Sequence, residues 1–569
     1  MVNIITKNNS DKKNTFALAL TGILYASLLL AGAFYEWTSC AVSLSLIVWI
    51  FLRLKAGKEL SFRINLTLVS CVLISVAYAV TAFWAVDSGM AFVGFLKFLP
   101  VPLLLICIYS EKGAVLLIRR TLPLFAAATV VITSLLMQIS AISQYFSVAG
   151  RLSGTFQYPN AFALFVLVAE LIAFDLPVNK YVKAAVFAVL IFGLLYTGSR
   201  AVLVLAVIAN IAVILCKIKA SKKAAVISLA ALALAAGIAA VLAFAGVSPF
   251  DRILHINFGA STFVGRLLYF KDALPVMIKN PFGYGYLGYF YSQTAFQTGI
   301  YSVKYVHNDI LQFCLDIGWI PAAVFVAAIV RTLFAKGVGS ITRIILSVMF
   351  LHCLFDFDLQ FVAVFMLLAI FMNREYGKTV TISSGNLAFD VDSAALALLS
   401  LYFTVALGLS SFGQLKAANV MYRLNTDNQI KMLSSAEYDS DAEDIAGSII
   451  GRNEFVYVAY SKLARVAYKQ GDFGTVIKYK NLVFEYAPLV YEEYEEYMYM
   501  LINGVTLYNE AGNDVSSGIC KKQILSTKEK YEANLSKISD LGMKIKDKPV
   551  TEFPDDIEDY IKKLSKEGV

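Results

Sequence analysis

The chain has 569 residues, of which 58% are hydrophobic and 16% are charged, and its net charge is +8 at pH 7. Soluble domains are nearer half apolar and carry about 25% charged residues. The composition therefore excludes an ordinary soluble enzyme. The basic excess is better explained as a signal of membrane topology, and we expect no nucleic-acid partner.

Apolar segments recur along most of the chain at lengths that suit helices crossing about 30 Å of hydrocarbon. They follow a polar N-terminal tail, residues 1–14, and we predict an all-α, polytopic helical membrane protein with about 12–13 transmembrane helices. The predicted helices cover residues 15–34, 37–54, 64–86, 90–109, 119–139, 161–178, 184–199, 201–216, 224–245, 309–330, 343–360, 361–373 and 394–412.

Lysines and arginines concentrate in alternate short connections between these helices. Because cytoplasmic loops carry the excess of basic residues, this bias predicts a cytoplasmic N-terminus and a long outer loop at about 246–308. Residues 15–375 then form the main transmembrane domain, and 376–413 are a linker with the last crossing. The protein is predicted to lie in the cell membrane, and residues 414–569 are predicted to form an extracytoplasmic helical domain.

The C-terminal domain is charged, rich in tyrosine and predicted to be helical. The segment from Tyr460 to Pro488 has the spacing of one tetratricopeptide repeat, in which small and large apolar residues interlock two antiparallel helices. Beyond about Ser526 lysines alternate with acidic residues, which favours a solvated helical face. We therefore predict a tetratricopeptide-like domain.

Three arginines lie on the predicted outer side, against the positive-inside bias. They are Arg151, which precedes Pro159-Asn160, Arg200 in a tight Gly-Ser-Arg turn, and Arg266 in the long loop. A guanidinium stays charged and offers paired donors that fit a diphosphate. Arg151 and Asn160 are candidates for substrate binding, and the arginines could otherwise be topology anchors or lipid headgroup contacts.

His307 stands where the long loop returns to the membrane, followed by Asn308 and Asp309. A neutral imidazole there can take a proton from an acceptor hydroxyl near neutral pH. Asn308 and Asp309 are expected to orient it or to contact substrate. An interfacial capping histidine is the alternative.

A last cluster contains His352, Asp356 and Asp358 near a predicted helix exit. Its two carboxylates could hold Mg²⁺ or Mn²⁺, but we favour pairing with the outer arginines, so no metal or other cofactor is expected. His352 and Asp356 are candidates for substrate binding. The spacing of Gly283, Gly285 and Gly288 matches a dinucleotide-binding fingerprint, but no strand precedes it, and we expect these glycines to allow close backbone packing instead.

Together these segments resemble the O-antigen ligase superfamily, which includes lipopolysaccharide O-antigen ligases, Wzy-type polymerases and bacterial O-oligosaccharyltransferases. The resemblance covers about residues 15–375 and depends on the order and shared sidedness of the motifs around Arg151, Arg200, Arg266, His307 and Asp356. The C-terminal domain lies outside it, and such a domain favours recognition of a protein or polymer acceptor or a purely stabilising role.

The resemblance implies a GT-C-like fold and a metal-independent, inverting glycosyltransferase that uses an undecaprenyl-diphosphate-linked glycan as donor. Arg200 and Arg266 would then bind the diphosphate, His307 would act as the general base, and Arg151 would be a supporting cation. The acceptor, which could be a glycan, a lipid or a protein, stays open. A transporter or flippase of lipid-linked sugars, and an inactive scaffold, are the alternatives from other classes.

Overall fold

A computed structural model describes residues 11–218, 237, 261–373, 376–383, 385 and 387–566. The predicted helix at 224–245 and the first part of the predicted long loop lie outside the described residues, apart from residue 237. The first part of the chain forms nine helices within 11–218. They are α1 (Asp11–Leu29), α2 (Glu36–Lys55), α3 (Leu66–Thr81), α4 (Ser88–Phe98), α5 (Pro100–Ser110), α6 (Lys112–Leu136), α7 (Pro159–Ala173), α8 (Lys180–Thr197) and α9 (Arg200–Ile218).

The described chain resumes at residue 261. Seven helices follow, of which the first carries Arg266 and the seventh is the last apolar helix. These helices are α10 (Ser261–Lys279), α11 (Gly288–Ser292), α12 (Asp309–Ile317), α13 (Trp319–Phe334), α14 (Ser340–Cys353), α15 (Val362–Met372) and α16 (Leu387–Ser411). Four short strands, β1 (Leu60–Ile64), β2 (Ser147–Val148), β3 (Arg151–Leu152) and β4 (Lys378–Ile382), form two antiparallel pairs. Strand β1 pairs with β4 so that Phe62 faces Val380, and β2 pairs with β3.

The C-terminal region is mainly helical in its described part. Its helices are α17 (Leu415–Met421), α18 (Thr426–Leu433), α19 (Ala442–Ile450), α20 (Tyr457–Lys469), α21 (Phe473–Tyr486), α22 (Tyr491–Glu510), α23 (Asp514–Leu535) and α24 (Asp555–Lys566). Helices α20 and α21 are the pair that the repeat spacing predicts, and they pack against each other. Their assignment to the tetratricopeptide class stays a prediction.

The structure confirms the predicted class, a polytopic helical membrane protein. Among the described residues six helical segments are long and apolar enough to cross a membrane, and six more apolar helices are shorter. The long segments are Glu36–Lys55, Ser88–Ser110, Lys112–Leu136, Lys180–Thr197, Arg200–Lys217 and Phe389–Ser411. The prediction was wrong at two places. The predicted helix 309–330 breaks at Gly318, and the predicted helix 343–360 ends at Cys353, so that Asp356 and Asp358 lie in the connection between α14 and α15.

Two almost entirely apolar helices form the centre of the bundle. Every residue of α15 is buried, as is every residue of α7 except Asn160. A helix that is hydrophobic all round belongs in the interior of a large helical protein. Asn160 begins α7 and Asp356 precedes α15, and we call the end of the bundle where they lie the pocket end. Glu170, near the other end of α7, is a buried carboxyl that accepts from the Asn210 amide at 3.2 Å.

The glycine-rich segment after α10 lies against the break between α12 and α13. Gly283 and Gly318 both have positive φ, and the amide of Gly285 donates to the carbonyl of Asp316 at 2.8 Å. A Cβ added to Gly283 would lie 2.5 Å from the carbonyl oxygen of Asp316. The interpretation that these glycines permit close backbone packing is confirmed.

Substitution of Gly283 by alanine should therefore lower the stability of the protein. The left-handed backbone and the overlap with Asp316 together should cost about 2 kcal/mol or more. Gly408→Ala is the matched control, because a Cβ at Gly408 in α16 meets nothing within 4 Å. Thermal unfolding in detergent, followed by tyrosine and tryptophan fluorescence, should show a lower midpoint for Gly283→Ala only. Equal midpoints for the two variants would contradict this account of the segment.

The C-terminal domain packs on the pocket end of the bundle through specific polar contacts. Thr426 donates to the Asp87 carboxylate at 2.5 Å, and Tyr422 donates to the carbonyl of Gly89 at 2.8 Å. Further along the chain the amide of Ser539 donates to the carbonyl of Thr298 at 2.9 Å. The domain is thus attached both to the start of α4 and to the segment that follows α11.

Candidate active site

A pocket of about 270 Å³ opens at the pocket end of the bundle, where α7, α9 and α10 meet the segment before α12. It brings together five of the residues that the sequence singles out. It is lined by Arg151, Tyr158, Asn160, Gly198, Ser199, Arg200, Ala201, Thr262, Arg266, Tyr269 and His307. Three guanidinium groups and one imidazole thus converge in a site that is small and polar.

The carboxylate of Asp356 lies beneath this pocket and organises its wall. The residue is only 1% exposed. One oxygen, Oδ1, accepts from the Tyr158 hydroxyl at 2.8 Å and faces Nδ1 of His307 at 3.1 Å. The other, Oδ2, accepts from Asn160 at 2.7 Å and from Arg266 at 3.1 Å. The predicted pairing of the acidic cluster with an outer arginine is confirmed for Asp356.

These contacts keep the Asp356 carboxyl ionised. Burial alone would raise its pKa, but the hydrogen bond to His307, followed by the charge of Arg266, lowers the pKa below its usual range. The same environment has the opposite effect on its phenol partner, because burial and then the negative charge of Asp356 raise the pKa of Tyr158 well above its ordinary value. Asp356 is therefore an anion held by neutral and cationic donors.

Local backbone structure explains the positions of Arg151 and Arg200. Helix α8 ends at Thr197, Gly198 adopts a left-handed conformation with φ of 57°, and α9 begins at Arg200. Arg151, in β3, donates from Nε to the Thr197 carbonyl at 2.7 Å and from Nη2 to the Asn160 amide oxygen at 2.8 Å. Arg151 thereby fastens the α8–α9 turn to the start of α7.

His307 occupies an unusual backbone conformation, with φ of 55°. Its ring packs edge-on against Phe357, at 4.9 Å between centroids, and lies nearly parallel to Tyr269 at 6.0 Å. Its side chain is 21% exposed. A non-glycine residue with positive φ costs free energy and persists only where the surroundings enforce it. The structure thus holds the imidazole against Asp356 with one edge open to the pocket.

Two expectations about the neighbours of His307 were wrong. Asn308 does not orient the imidazole, because its side chain caps α12 by accepting from the Leu311 amide at 2.9 Å. Asp309 is fully buried and accepts from the Leu359 amide at 2.9 Å. The residue that orients His307 is Asp356, 49 positions along the chain.

A second polar cluster lies behind the pocket wall and does not line it. His352 is hydrogen-bonded to Asp358, and both are buried. Asp309, Cys353 and Asp358 each place one potential ligand atom within 4.8 Å of the others. Substrate contact by Asp309 or His352, which the sequence suggested, would require atoms that the folded protein keeps away from the pocket.

The sequence did not identify Tyr158, Thr262 or Tyr269 as members of the site. Tyr158 lies within the segment from Arg151 to Asn160, and its place two residues before Asn160 is the only signal that could have found it. Tyr269 is three residues after Arg266, so one turn of α10 presents both side chains to the same side. A phenol that donates to a buried carboxylate cannot be distinguished from a core tyrosine in the sequence.

Residues 185–326 match the family model described as O-antigen ligase. The match runs from within α8 to within α13 and contains Arg200, Arg266 and His307, whereas Arg151, Asn160 and Asp356 lie outside it. It supports a relationship to the O-antigen ligase superfamily, and thus to glycosyltransferases of the ligase or polymerase type. No curated protein matches the chain significantly.

Proposed function

We propose that this protein is a glycosyltransferase that moves a glycan from undecaprenyl diphosphate to an acceptor hydroxyl on the outer face of the membrane. The match at 185–326 supports the family, and the geometry of the pocket supports the chemistry. The observation that carries the proposal is the convergence of His307, Arg200 and Arg266 on one pocket above a buried carboxylate.

His307 is the proposed general base. With Nδ1 directed at Asp356, the imidazole favours the tautomer that donates from Nδ1 and keeps a lone pair on Nε2. That lone pair can take the proton of an acceptor hydroxyl as the oxygen attacks the anomeric carbon. Asp356 acts through His307 and is a positioning residue, which replaces our expectation that it contacts substrate.

Arg200 and Arg266 are proposed to bind the diphosphate of the donor. As the glycosidic bond to the diphosphate breaks, negative charge accumulates on the leaving oxygen, and fixed cations stabilise it without reorganisation. A single displacement of this kind inverts the configuration of the anomeric carbon. The donor is already activated, so positioning, a base and positive charge suffice, and the reaction is proposed to need no metal.

The remaining residues support this arrangement. Arg151 and Asn160 form a bridge from the α8–α9 turn to Asp356, so we propose that they hold the arginine turn in place while presenting polar atoms to the substrate. Asn308, Asp309 and His352 are proposed to stabilise the segment that positions His307. The acceptor could be a lipid, a growing glycan or a protein, and the C-terminal domain is proposed to take part in its recognition.

Arg266→Ala should reduce transfer by about 10²- to 10³-fold, because a donor group aimed at developing charge is lost. Arg266→Lys should retain part of the activity, since a lysine keeps the charge but loses the paired donors. The measurement is release of undecaprenyl diphosphate from lipid-linked glycan by purified protein in liposomes. Lys271→Ala is the matched control, because Lys271 is an exposed cation of the same helix and does not line the pocket. Release by Arg266→Ala at the wild-type rate would contradict the assignment.

A further inference from the structure

A groove larger than the catalytic pocket lies between the C-terminal domain and the segment that follows α11. Its volume is about 850 Å³. One wall is residues 295–298, and the other is formed by α21, the residues after it, α23 and Lys537. The two walls are fixed to each other, because Thr294 donates to the carbonyl of Tyr486 at 2.8 Å and Ser539 donates to the carbonyl of Thr298 at 2.9 Å. These hydrogen bonds fix the position of the two walls, and therefore the shape of the groove.

The groove carries an excess of positive charge. Lys478, Lys530 and Lys537 line it, against a single acidic residue, Glu485. Neither Lys478 nor Lys530 makes an ion pair within 4 Å with a carboxylate of the described residues. Two lysines on the same helices that lie outside the groove are paired: Lys480 lies 2.5 Å from Glu493, and Lys528 lies 2.6 Å from Glu558.

Lys478 and Lys530 therefore line the groove with no carboxylate of the described residues within 4 Å, although Glu485 attracts Lys530 from farther away. Unpaired cations gathered along one concave surface attract an anion and raise its local concentration. The sequence suggested a solvated charged face beyond about Ser526, whereas in the structure Lys528 pairs with Glu558, and Lys530 and Lys537 line the groove.

The rest of the lining suits a carbohydrate. Asn481 and Gln297 offer amide groups that can both donate and accept, as sugar hydroxyls require. Phe296, Leu482 and Pro488 supply apolar surface for the C–H faces of a sugar ring. A groove that combines cations, amides and limited apolar area fits an acidic sugar better than an amphipathic helix, which needs a continuous apolar stripe.

Hydrogen bonds connect the wall of the groove to α10, the helix that carries Arg266 of the catalytic pocket. Asp272 accepts from the Thr298 amide at 2.8 Å and from the Thr298 hydroxyl at 2.7 Å. Asp272 lies six residues after Arg266 on α10, about 9 Å along the helix. A ligand that reaches both sites must therefore be a chain of several units.

We propose that this groove binds a stretch of an anionic glycan chain, carrying carboxylate or phosphate groups, whose reacting end lies in the catalytic pocket. The choice of a glycan as occupant rests on the proposed function. The C-terminal domain then contributes directly to substrate binding and gives the enzyme a preference for long acidic chains over short or neutral ones.

Direct binding to the full-length protein in detergent tests this proposal without turnover. The probes are a fluorescent oligogalacturonate, a neutral malto-oligosaccharide of equal length, and a polyglutamate peptide. Wild-type protein should bind the oligogalacturonate in a salt-sensitive manner and more tightly than the other two. The double variant Lys478→Glu, Lys530→Glu should bind it at least about tenfold more weakly, which corresponds to about 1.4 kcal/mol.

Lys522→Glu is the matched control, because Lys522 is exposed on α23 and lies outside the groove. It should bind the oligogalacturonate like wild type. Unchanged affinity in the double variant, equal affinity for the neutral probe, or tighter binding of polyglutamate would each overturn the proposal. The milder Lys478→Gln, Lys530→Gln variant tests whether weaker binding results from misfolding. It should keep the thermal midpoint of the wild type and should also bind the oligogalacturonate more weakly than the wild type.

The two proposals fail separately. His307→Ala should keep wild-type affinity for the oligogalacturonate although it loses transfer. If wild-type protein binds the probe but transfers no glycan, the proposed function fails and the groove stands. If it transfers glycan but does not bind the probe, the groove proposal fails alone.

Discussion

Replacing His307 by alanine should reduce glycan transfer by about 10²- to 10⁴-fold, the range that a positioned general base contributes. The effect should fall on kcat, because the arginines that are proposed to bind the donor diphosphate remain in place. The structure gives the reason for so large a loss: within the described lining of the pocket, His307 is the residue with an imidazole, and Asp356 fixes its orientation. The measurement is initial rate against donor concentration in liposomes.

Added imidazole offers a second readout for His307→Ala. The removed side chain leaves space between Tyr269 and Phe357, and a free imidazole that enters it can restore part of the proton transfer. Partial rescue by imidazole, absent in Arg266→Ala, would support a base at this position. A variant whose KM rises while its kcat stays at the wild-type value would show instead that His307 only binds substrate.

Substitution of Asp356 by asparagine should damage both activity and stability. The amide would place an N–H₂ group where Tyr158, Asn160, Arg266 and His307 all direct donors, and Arg266 would lose its buried counter-charge. Removing one member of a buried ion pair costs about 3 kcal/mol. Because His307 also loses its orienting acceptor, kcat should fall by about 10²-fold or more. Thermal unfolding and the transfer assay check the two effects.

The matched control for Asp356→Asn is Asp444→Asn. Asp444 also pairs with an arginine, Arg423, at 2.8 Å, but their side chains are 74% and 56% exposed. An exposed pair of this kind contributes little to stability. We therefore expect no measurable change for Asp444→Asn. A similar loss in both variants, or wild-type activity in Asp356→Asn, would contradict the role of Asp356 as an organising anion.

The pH dependence of this stability difference follows from the lowered pKa of Asp356. A carboxyl whose pKa is lower in the folded state than in the unfolded state stabilises the protein above the unfolded pKa, about 3.9 for aspartate. That stabilisation is lost as the pH falls through the folded pKa. The difference between wild type and Asp356→Asn should thus be constant near neutral pH and shrink only in strong acid.

The sequence predicted the helical membrane class because long apolar runs rarely fit any other architecture. The positive-inside bias also made Arg151, Arg200 and Arg266 conspicuous, and the structure places all three on one pocket. Sidedness is a property that can be read locally, since each basic residue is counted within its own loop.

The sequence could not predict how Asp356 organises the site. Tyr158 and Asn160 reach its carboxylate from the start of α7, Arg266 from α10, and His307 from the segment before α12, and only the folded bundle brings these separate parts of the chain together. Helix ends were also missed where polar contacts decide them. Helix α14 ends at Cys353, three residues before Asp356, whose contacts within this network come from distant parts of the chain.

The division of the C-terminal lysines was equally hidden. Lys528 and Lys530 are two residues apart on α23 and look alike in sequence, yet one pairs with Glu558 and the other lines the groove. The difference arises from the position of α24 and of residues 295–298, which are far from α23 in the chain. Charge alternation alone cannot show which face of a helix meets a partner.

The most direct test of the proposed glycan transfer measures the amounts of both reaction products formed by the protein in sealed liposomes. Wild-type protein in liposomes receives an undecaprenyl-diphosphate-linked glycan and an acceptor preparation, with EDTA present to remove divalent metals. We predict one undecaprenyl diphosphate released for each glycan joined to the acceptor, and neither product with His307→Ala. Movement of the labelled lipid-linked glycan between leaflets without release of undecaprenyl diphosphate would contradict the transferase account and identify a transporter.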